Sequence, residues 1–252
     1  MADTVVVKLG GSFITDKERL FTFREEQVKE AVKALRGTGR DFALVHGGGS
    51  FGHPVARRFK LSSKEFSKSS EGVSETRLAM HNLSYLVYIQ LGVAGFKPFL
   101  LHSSSLLRMD GSPASTYPTM LSELVRTGLT PLTHGDVQLF FEGYRIVSGD
   151  HLALLFCKAL KPSRMVFVVD QPGIMKRMGD PGSVVKEMTV AQARELKFEG
   201  SEDATGGVSA KVKSACEIAT LGVETCFVSG FDRDGLIRAV TGEKFSGTLL
   251  RR

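Results

Sequence analysis

Short apolar runs, glycine-rich turns and stretches of helical spacing alternate along this chain. Val5-Val6-Val7-Lys8-Leu9 is apolar at nearly every position, the pattern of a strand buried on both faces, and Gly10-Gly11-Ser12 ends it. Val28, Ala31, Val32 and Leu35 then return at helical spacing over 24–35. The same order repeats: a strand is predicted over 42–45, a glycine turn at 47–49, and a helix to about residue 59. A long helix is predicted over 73–91, a strand over 98–101 and a further helix over 115–126. Residues 138–147 alternate about Glu142-Gly143 and predict a hairpin with one exposed face. Ser148-Gly149-Asp150 caps a helix to about residue 160, followed by a buried strand over 165–169. Helices over 191–196 and 208–221, a strand over 224–228 and a last helix near 234–240 complete the pattern. Alternating strands and helices imply an α/β fold whose mainly parallel sheet is covered on both faces.

With 252 residues and 42% apolar content, one domain is the default. Lys and Arg number 33 against 27 Asp and Glu, a net charge of +6 that suits nucleic acid or small anions. Basic residues are scattered, and neither an RNA-binding signature nor a zinc-finger spacing occurs, which favours small anions over nucleic acid. Cys157, Cys216 and Cys226 lack C-x-x-C spacing and fall in apolar segments, so reduced core thiols are expected. The chain enters its first strand without a basic leader, and no apolar run approaches membrane-spanning length; a soluble cytoplasmic protein with no membrane partner is expected.

Candidate chemistry gathers at the glycine turns. His46-Gly47-Gly48-Gly49-Ser50-Phe51-Gly52-His53 follows a strand and opens a helix, where backbone N–H groups and the helix dipole favour an anion and His53 adds a donor. Gly47, Gly49 and Gly52 also satisfy G-x-G-x-x-G, but Glu71, at the distance of a ribose-binding acid, sits in a serine-rich polar stretch rather than at a strand tip. Lys8 stands near the end of the first strand, where ligands bind in open parallel sheets, and Lys17 follows in the loop. Thr205-Gly206-Gly207 opens another helix, with Lys211 close to its first turn, where a cation opposes the helix dipole unless an anion is bound. Asp150 and Asp170 serve as well as a helix cap and a turn residue as they would as ligands. No Walker A or protein-kinase motif is present, so phosphate must be held by another cradle. His81, His102, His134 and His151 show no metal-ligand spacing with carboxylates and read as surface or core residues; no protein-held metal is expected.

Taken in order, Val-Lys-Leu-Gly-Gly-Ser at 7–12, His-Gly-Gly-Gly at 46–49, Ser-Gly-Asp at 148–150, Asp170 with Gly173, and Thr-Gly-Gly-x-x-x-Lys at 205–211 resemble the amino acid kinase family over nearly the whole chain. Within it, Gly-Ser-Phe-Gly-His-Pro at 49–54 and Ile-Thr-Asp-Lys at 14–17 look like the archaeal isopentenyl phosphate kinases. The resemblance implies a three-layer αβα sandwich and a homodimer. Its single domain over 1–252 would comprise an acceptor-binding half over about 1–147 and an ATP-binding half over about 148–252. It implies ATP and Mg²⁺ as cofactors and isopentenyl phosphate as the small-molecule substrate, in isoprenoid biosynthesis. Lys8, Lys17 and Lys211 would neutralise the transferring phosphoryl group, Asp150 would hold lysines in place and His53 would complete the catalytic set. Gly10, Gly11, Ser12, Gly49, Asp170, Gly173, Gly206 and Gly207 would face the nucleotide with Lys8 and Lys211. Gly47, Gly48, Gly52, His53 and Gly149 would hold the acceptor phosphate. Relatives usually carry Asp-Val-Asp-Gly where this chain has Asp170-Gln171-Pro172-Gly173.

The chemistry agrees with that resemblance. A phosphomonoester has a second pKa of about 6, so its attacking oxygen is already anionic at neutral pH. Transfer is then limited by repulsion between two phosphates, which cations and oriented donors relieve. An apolar tail needs a slot as well, and Leu83 and Leu86 on the long helix are candidates for its wall. Fosfomycin kinase, or another small phosphate or phosphonate kinase, is the nearest alternative. A nucleotide-binding storage or regulatory protein of the same fold is the non-enzyme alternative.

Overall fold

A computed structural model describes residues 4–177, 179–196 and 207–252. The first half of the chain runs β1 (Thr4–Leu9), α1 (Gly11–Ile14), α2 (Glu25–Gly37), β2 (Asp41–His46), α3 (Gly49–Arg58), α4 (Ser70–Val93), β3 (Pro98–Leu101), α5 (Tyr117–Arg126) and β4 (Thr130–His134). A hairpin of β5 (Asp136–Phe140) and β6 (Gly143–Val147) follows. The second half runs α6 (Gly149–Leu160), β7 (Arg164–Val169), β8 (Glu187–Thr189), α7 (Val190–Glu195), α8 (Gly207–Thr220), β9 (Glu224–Ser229), α9 (Arg233–Thr241) and β10 (Gly247–Arg251).

One eight-stranded sheet takes the order β3-β4-β2-β1-β7-β9-β10-β8. Its ladders are parallel except that between β9 and β10. Alternate residues of β1 enter different layers, as strand geometry requires. Val5, Val7 and Leu9 pack with apolar residues of α2, α4 and α9, whereas Val6 joins the core beneath α5, α6 and α8. Each fully buried Val or Leu contributes about 1.5–3 kcal/mol, which is why consecutive apolar positions in β1 hold the strand at the centre of three layers.

Sequence patterning does not reach β4, β8 or β10. In β4, Pro131 and His134 interrupt the apolar run, yet Leu132 and Thr133 pair with β2 on one side and β3 on the other. Gly242 ends α9 in the left-handed conformation, at φ 91°, and after a short connection β10 pairs antiparallel to β9. Among the described residues no helix is long and apolar enough to cross a membrane.

From β1 the chain moves outward through β2 to β3 at the sheet edge, steps back inward to β4, and then returns to place β7 on the other side of β1. At such a switch point the following loops part to opposite faces and leave a crevice beyond the strand tips.

Candidate functional site

A cavity of about 690 Å³ occupies that crevice. Gly11 and Ser12 of α1, Gly49 and Ser50 of α3, Gly149 and Asp150 of α6, and Val208 of α8 all line it, so the N-terminal turns of several helices converge on one volume. Unpaired N–H groups and aligned peptide dipoles make such ends favourable to anions.

The first two glycine turns meet backbone to backbone. A Cβ on Gly11 would lie 2.3 Å from the Gly49 nitrogen, and Gly49 itself holds φ at +47° with no room for a side chain beside Thr15. Thr15 stitches the contact: its Oγ1 donates to the Gly11 carbonyl at 2.7 Å and accepts from the Ser50 N–H at 2.9 Å. Glycine at both places is thus a steric requirement, and it lets the tips of β1 and β2 form a single floor.

Lys8 rises from that floor. Its side chain is only 5% exposed, and Nζ lies 2.6 Å from Asp150 Oδ1. Asp150 sits in the first turn of α6, behind Ser148, whose Oγ accepts the His151 N–H at 3.2 Å. The pair therefore fastens β1 to α6 and keeps a desolvated ammonium compensated, where an unpaired one would be costly. A second pair stands nearer water. Lys17 Nζ lies 2.8 Å from Asp170 Oδ2, and Ser12 Oγ donates to Asp170 Oδ1 at 2.7 Å. Burial opposes ionisation of Asp170, but the Lys17 and Ser12 hydrogen bonds outweigh it and hold the carboxyl below its usual range.

Of the residues singled out from sequence, Lys8, Gly11, Ser12, Lys17, Gly47, Gly48, Gly49, Gly52, His53, Gly149, Asp150, Asp170, Gly173 and Lys211 all line this cavity. Gly10 does not: its N–H donates to the Val168 carbonyl at 2.8 Å and closes the strand end. Gly207 opens α8, while Thr205 and Gly206 lie outside the described residues.

Leu83 and Leu86 require correction. Leu83 is fully buried in the core with residues of α2, and Leu86 packs against the same cluster; neither lines the cavity. Thr76 and Met80 occupy the cavity stretch of α4 instead. Leu83 lies one turn beyond Met80 on the same stripe, where the helix has passed from the strand tips to the sheet itself. With Met80, the side chains of Val137, Ile146, Val147, Pro54 and Ala56 form the apolar end. Arg57 and Asp136 line the cavity too and escaped notice in the sequence. Asp136 had one readable signal, the Gly135-Asp136 pair just after a strand.

Residues 3–229 match the family model described as the amino acid kinase family. The chain is 35% identical over 257 residues to the isopentenyl phosphate kinase of Haloferax volcanii, with 98% of each chain covered. Against the isopentenyl phosphate kinase of Thermoplasma acidophilum it is 31% identical over 250 residues, covering 98% of this chain and 100% of that one. The crystal structure of a T. acidophilum isopentenyl phosphate kinase product complex aligns with a TM-score of 0.82 and 28% identity, covering 98% of this chain and 100% of the other.

Proposed function

This chain belongs to the amino acid kinase family, and from that premise we infer that it phosphorylates isopentenyl phosphate with ATP. An oxygen of the acceptor's phosphate attacks the γ-phosphorus in line, the bond from that phosphorus to the β–γ bridging oxygen breaks, and isopentenyl diphosphate and ADP result. The observation that carries the reading is one cavity with two characters: Lys8, Lys17, Lys211, His53 and converging helix ends at its polar part, and Met80, Val137, Ile146 and Val147 at its apolar part. The first suits paired phosphates and the second a short hydrocarbon tail.

Lys8 sits where transferring charge is concentrated, positioned by Asp150. Lys17 and Lys211 add cations, and His53 donates to the acceptor phosphate with the backbone at Gly47, Gly48, Gly52 and Gly149. The residue 1–147 half holds the acceptor. The 148–252 half holds ATP, with Asp170, Gly173 and Gly207 of that half and Ser12 of the other against the nucleotide.

Magnesium does not fit as a protein-held ion here. Asp150 is engaged by Lys8, and Asp170 by Lys17 and Ser12, so neither carboxylate offers a free ligand. Mg²⁺ belongs with the ATP phosphates, whose oxygens suit it. A homodimer is supported by the exposed apolar stripe Leu78, Tyr85, Ile89 and Val93 of α4, an unusual face for a helix in water. The enzyme would act in the cytoplasm, in isoprenoid biosynthesis.

ADP release with Mg²⁺ and ATP, measured against isopentenyl phosphate, dimethylallyl phosphate and fosfomycin, tests the reading. Turnover with the five-carbon phosphates and little with fosfomycin is expected. A preference for fosfomycin would replace the acceptor, and ATP binding without turnover on any acceptor would remove the enzyme.

A further inference from the structure

Histidines that show no ligand spacing in sequence meet in the fold. His81 projects from α4 and is exposed, His102 follows β3 and is half-buried, and His134 ends β4 fully buried. One ring nitrogen from each lies within 4.8 Å of the others. Ring centroids stand 5.1 Å apart for His81 and His102, 6.0 Å for His81 and His134, and 6.2 Å for His102 and His134. The planes are tilted by 56° to 89°, so none of these three pairs is stacked face to face.

The hydrogen bonds around the cluster leave its inner nitrogens bare. His134 Nδ1 lies 3.0 Å from the Gly135 carbonyl, which can only accept, so the proton sits on Nδ1 and Nε2 carries a lone pair. That Nε2 is buried without a hydrogen-bond partner, and so is His102 Nδ1. Leaving a buried polar atom unsatisfied costs about 1–3 kcal/mol, and two within one cluster call for a shared electrophile. A histidine that donates its other ring nitrogen to a backbone carbonyl is also the usual support of a metal-ligating imidazole.

The surroundings carry charges of both signs, Asp136 and Arg77. Burial is the main cause that lowers the pKa of both His81 and His134. Asp136 supplies negative charge nearby, with Oδ2 3.3 Å from Arg77 Nε. Behind His134, His46 stacks at 5.2 Å with its nitrogens 3.0 Å from the Gly47 carbonyl and 3.1 Å from Ser84 Oγ. His46 is thus a satisfied wall and not a further ligand.

We propose that His81, His102 and His134 form a three-imidazole site for a zinc-class divalent cation, with water completing the tetrahedron. Zinc–nitrogen bonds of about 2.0–2.1 Å place tetrahedral ligands about 3.3 Å apart, so the three rings would draw inward from the 4.8 Å within which their nitrogens now lie. Imidazole ligands select zinc and its neighbours over magnesium or calcium, which demand oxygen. The site is therefore separate from the Mg²⁺ that accompanies ATP. It ties α4, β3 and β4 together, and through Gly135 and Asp136 it backs the cavity wall. Its role is to brace that wall.

The 252-residue chain stripped with a chelator and titrated with Co²⁺ and Zn²⁺ decides the matter without reference to kinase activity. The expected result is one equivalent bound per chain, visible absorption bands of tetrahedral Co²⁺ that Zn²⁺ bleaches, and a Zn²⁺-dependent rise in thermal midpoint. His81→Ala and His102→Ala, at positions able to lose a ring without opening the core, should each weaken binding by about 100-fold or more, while His151→Ala leaves it unchanged. Absence of saturable binding overturns the site. So does binding that survives both His81→Ala and His102→Ala.

Discussion

The floor and the rim of the cavity each carry a lysine–aspartate pair, and water separates their roles. Lys8 is 5% exposed and faces a 15% exposed Asp150, whereas Lys17 is 60% exposed against a 16% exposed Asp170. At the floor the charges are fixed before any ligand arrives, held between a central strand and a helix start. At the rim a long, solvated side chain must be ordered at each encounter. Oriented charge in a dry site stabilises developing charge far more than the same charge in water. The floor pair should accordingly set the rate of transfer, and the rim should tune binding and closure.

Lys8→Ala should have the largest effect, a loss of kcat of about 10³-fold, as for removal of an oriented donor. It should also destabilise the fold by about 3–5 kcal/mol by leaving Asp150 unpaired, read from urea unfolding. Lys8→Ala combined with Asp150→Ala should recover much of the stability and none of the turnover; recovery of both would make the pair purely structural. His53→Ala, at an exposed rim position, should lower kcat by about 10²-fold, the scale of a lost charge-stabilising donor. ATP affinity, measured by calorimetry, should stay near that of the native chain, and retained turnover would take His53 out of the mechanism.

Lys17→Ala should cost about 10-fold in kcat/KM, with the loss shrinking as salt is raised, because exposed charges are screened over about 8 Å at physiological ionic strength. A loss as large as that of Lys8→Ala, insensitive to salt, would erase the distinction between floor and rim. The apolar end divides the same way. Met80→Ala should shift preference toward longer prenyl phosphates by about 10-fold or more, the scale of the 1–3 kcal/mol attached to one methylene in a pocket, as read from kcat/KM over chain length. Leu83→Ala should instead cost about 2–5 kcal/mol of stability and leave that preference alone.

Acid should separate the pairs least. Because the Asp170 carboxyl is held below its usual range, its contribution is fully present above the unfolded carboxyl pKa and is lost as pH falls through the folded one. The stability difference between the native chain and Lys17→Ala should therefore be flat at neutral pH and close in strong acid. A difference that instead changed between pH 6 and 8 would assign the titration to another group.

Much of the residue set that lines the cavity was legible because it lies at strand tips and helix starts that periodicity and glycine locate. Lys8 was readable as a charge inside an apolar strand, and Gly47 to Gly49 as a turn that opens a helix. Leu83 was misread because helical spacing reports a buried face without saying what buries it. Met80, one turn away on the same stripe, belongs to the cavity. Arg57 carries no local mark of its position, and Asp136 only the glycine before it. Strands β4 and β10 were invisible for a related reason: a strand with proline or histidine in its run, or one at the chain's end, is fixed by its neighbours' ladders rather than by its own pattern.

The sequence by itself determined the alternation of strands and helices, the parallel character of the sheet and the glycine turns that open helices at the strand tips, because each is a short-range consequence of side-chain period and backbone freedom. Tertiary structure alone decided which lysine met which aspartate, where the apolar slot lay and that His81, His102 and His134 converge. Those facts depend on strand order, and strand order is set by how distant segments bury one another's surfaces.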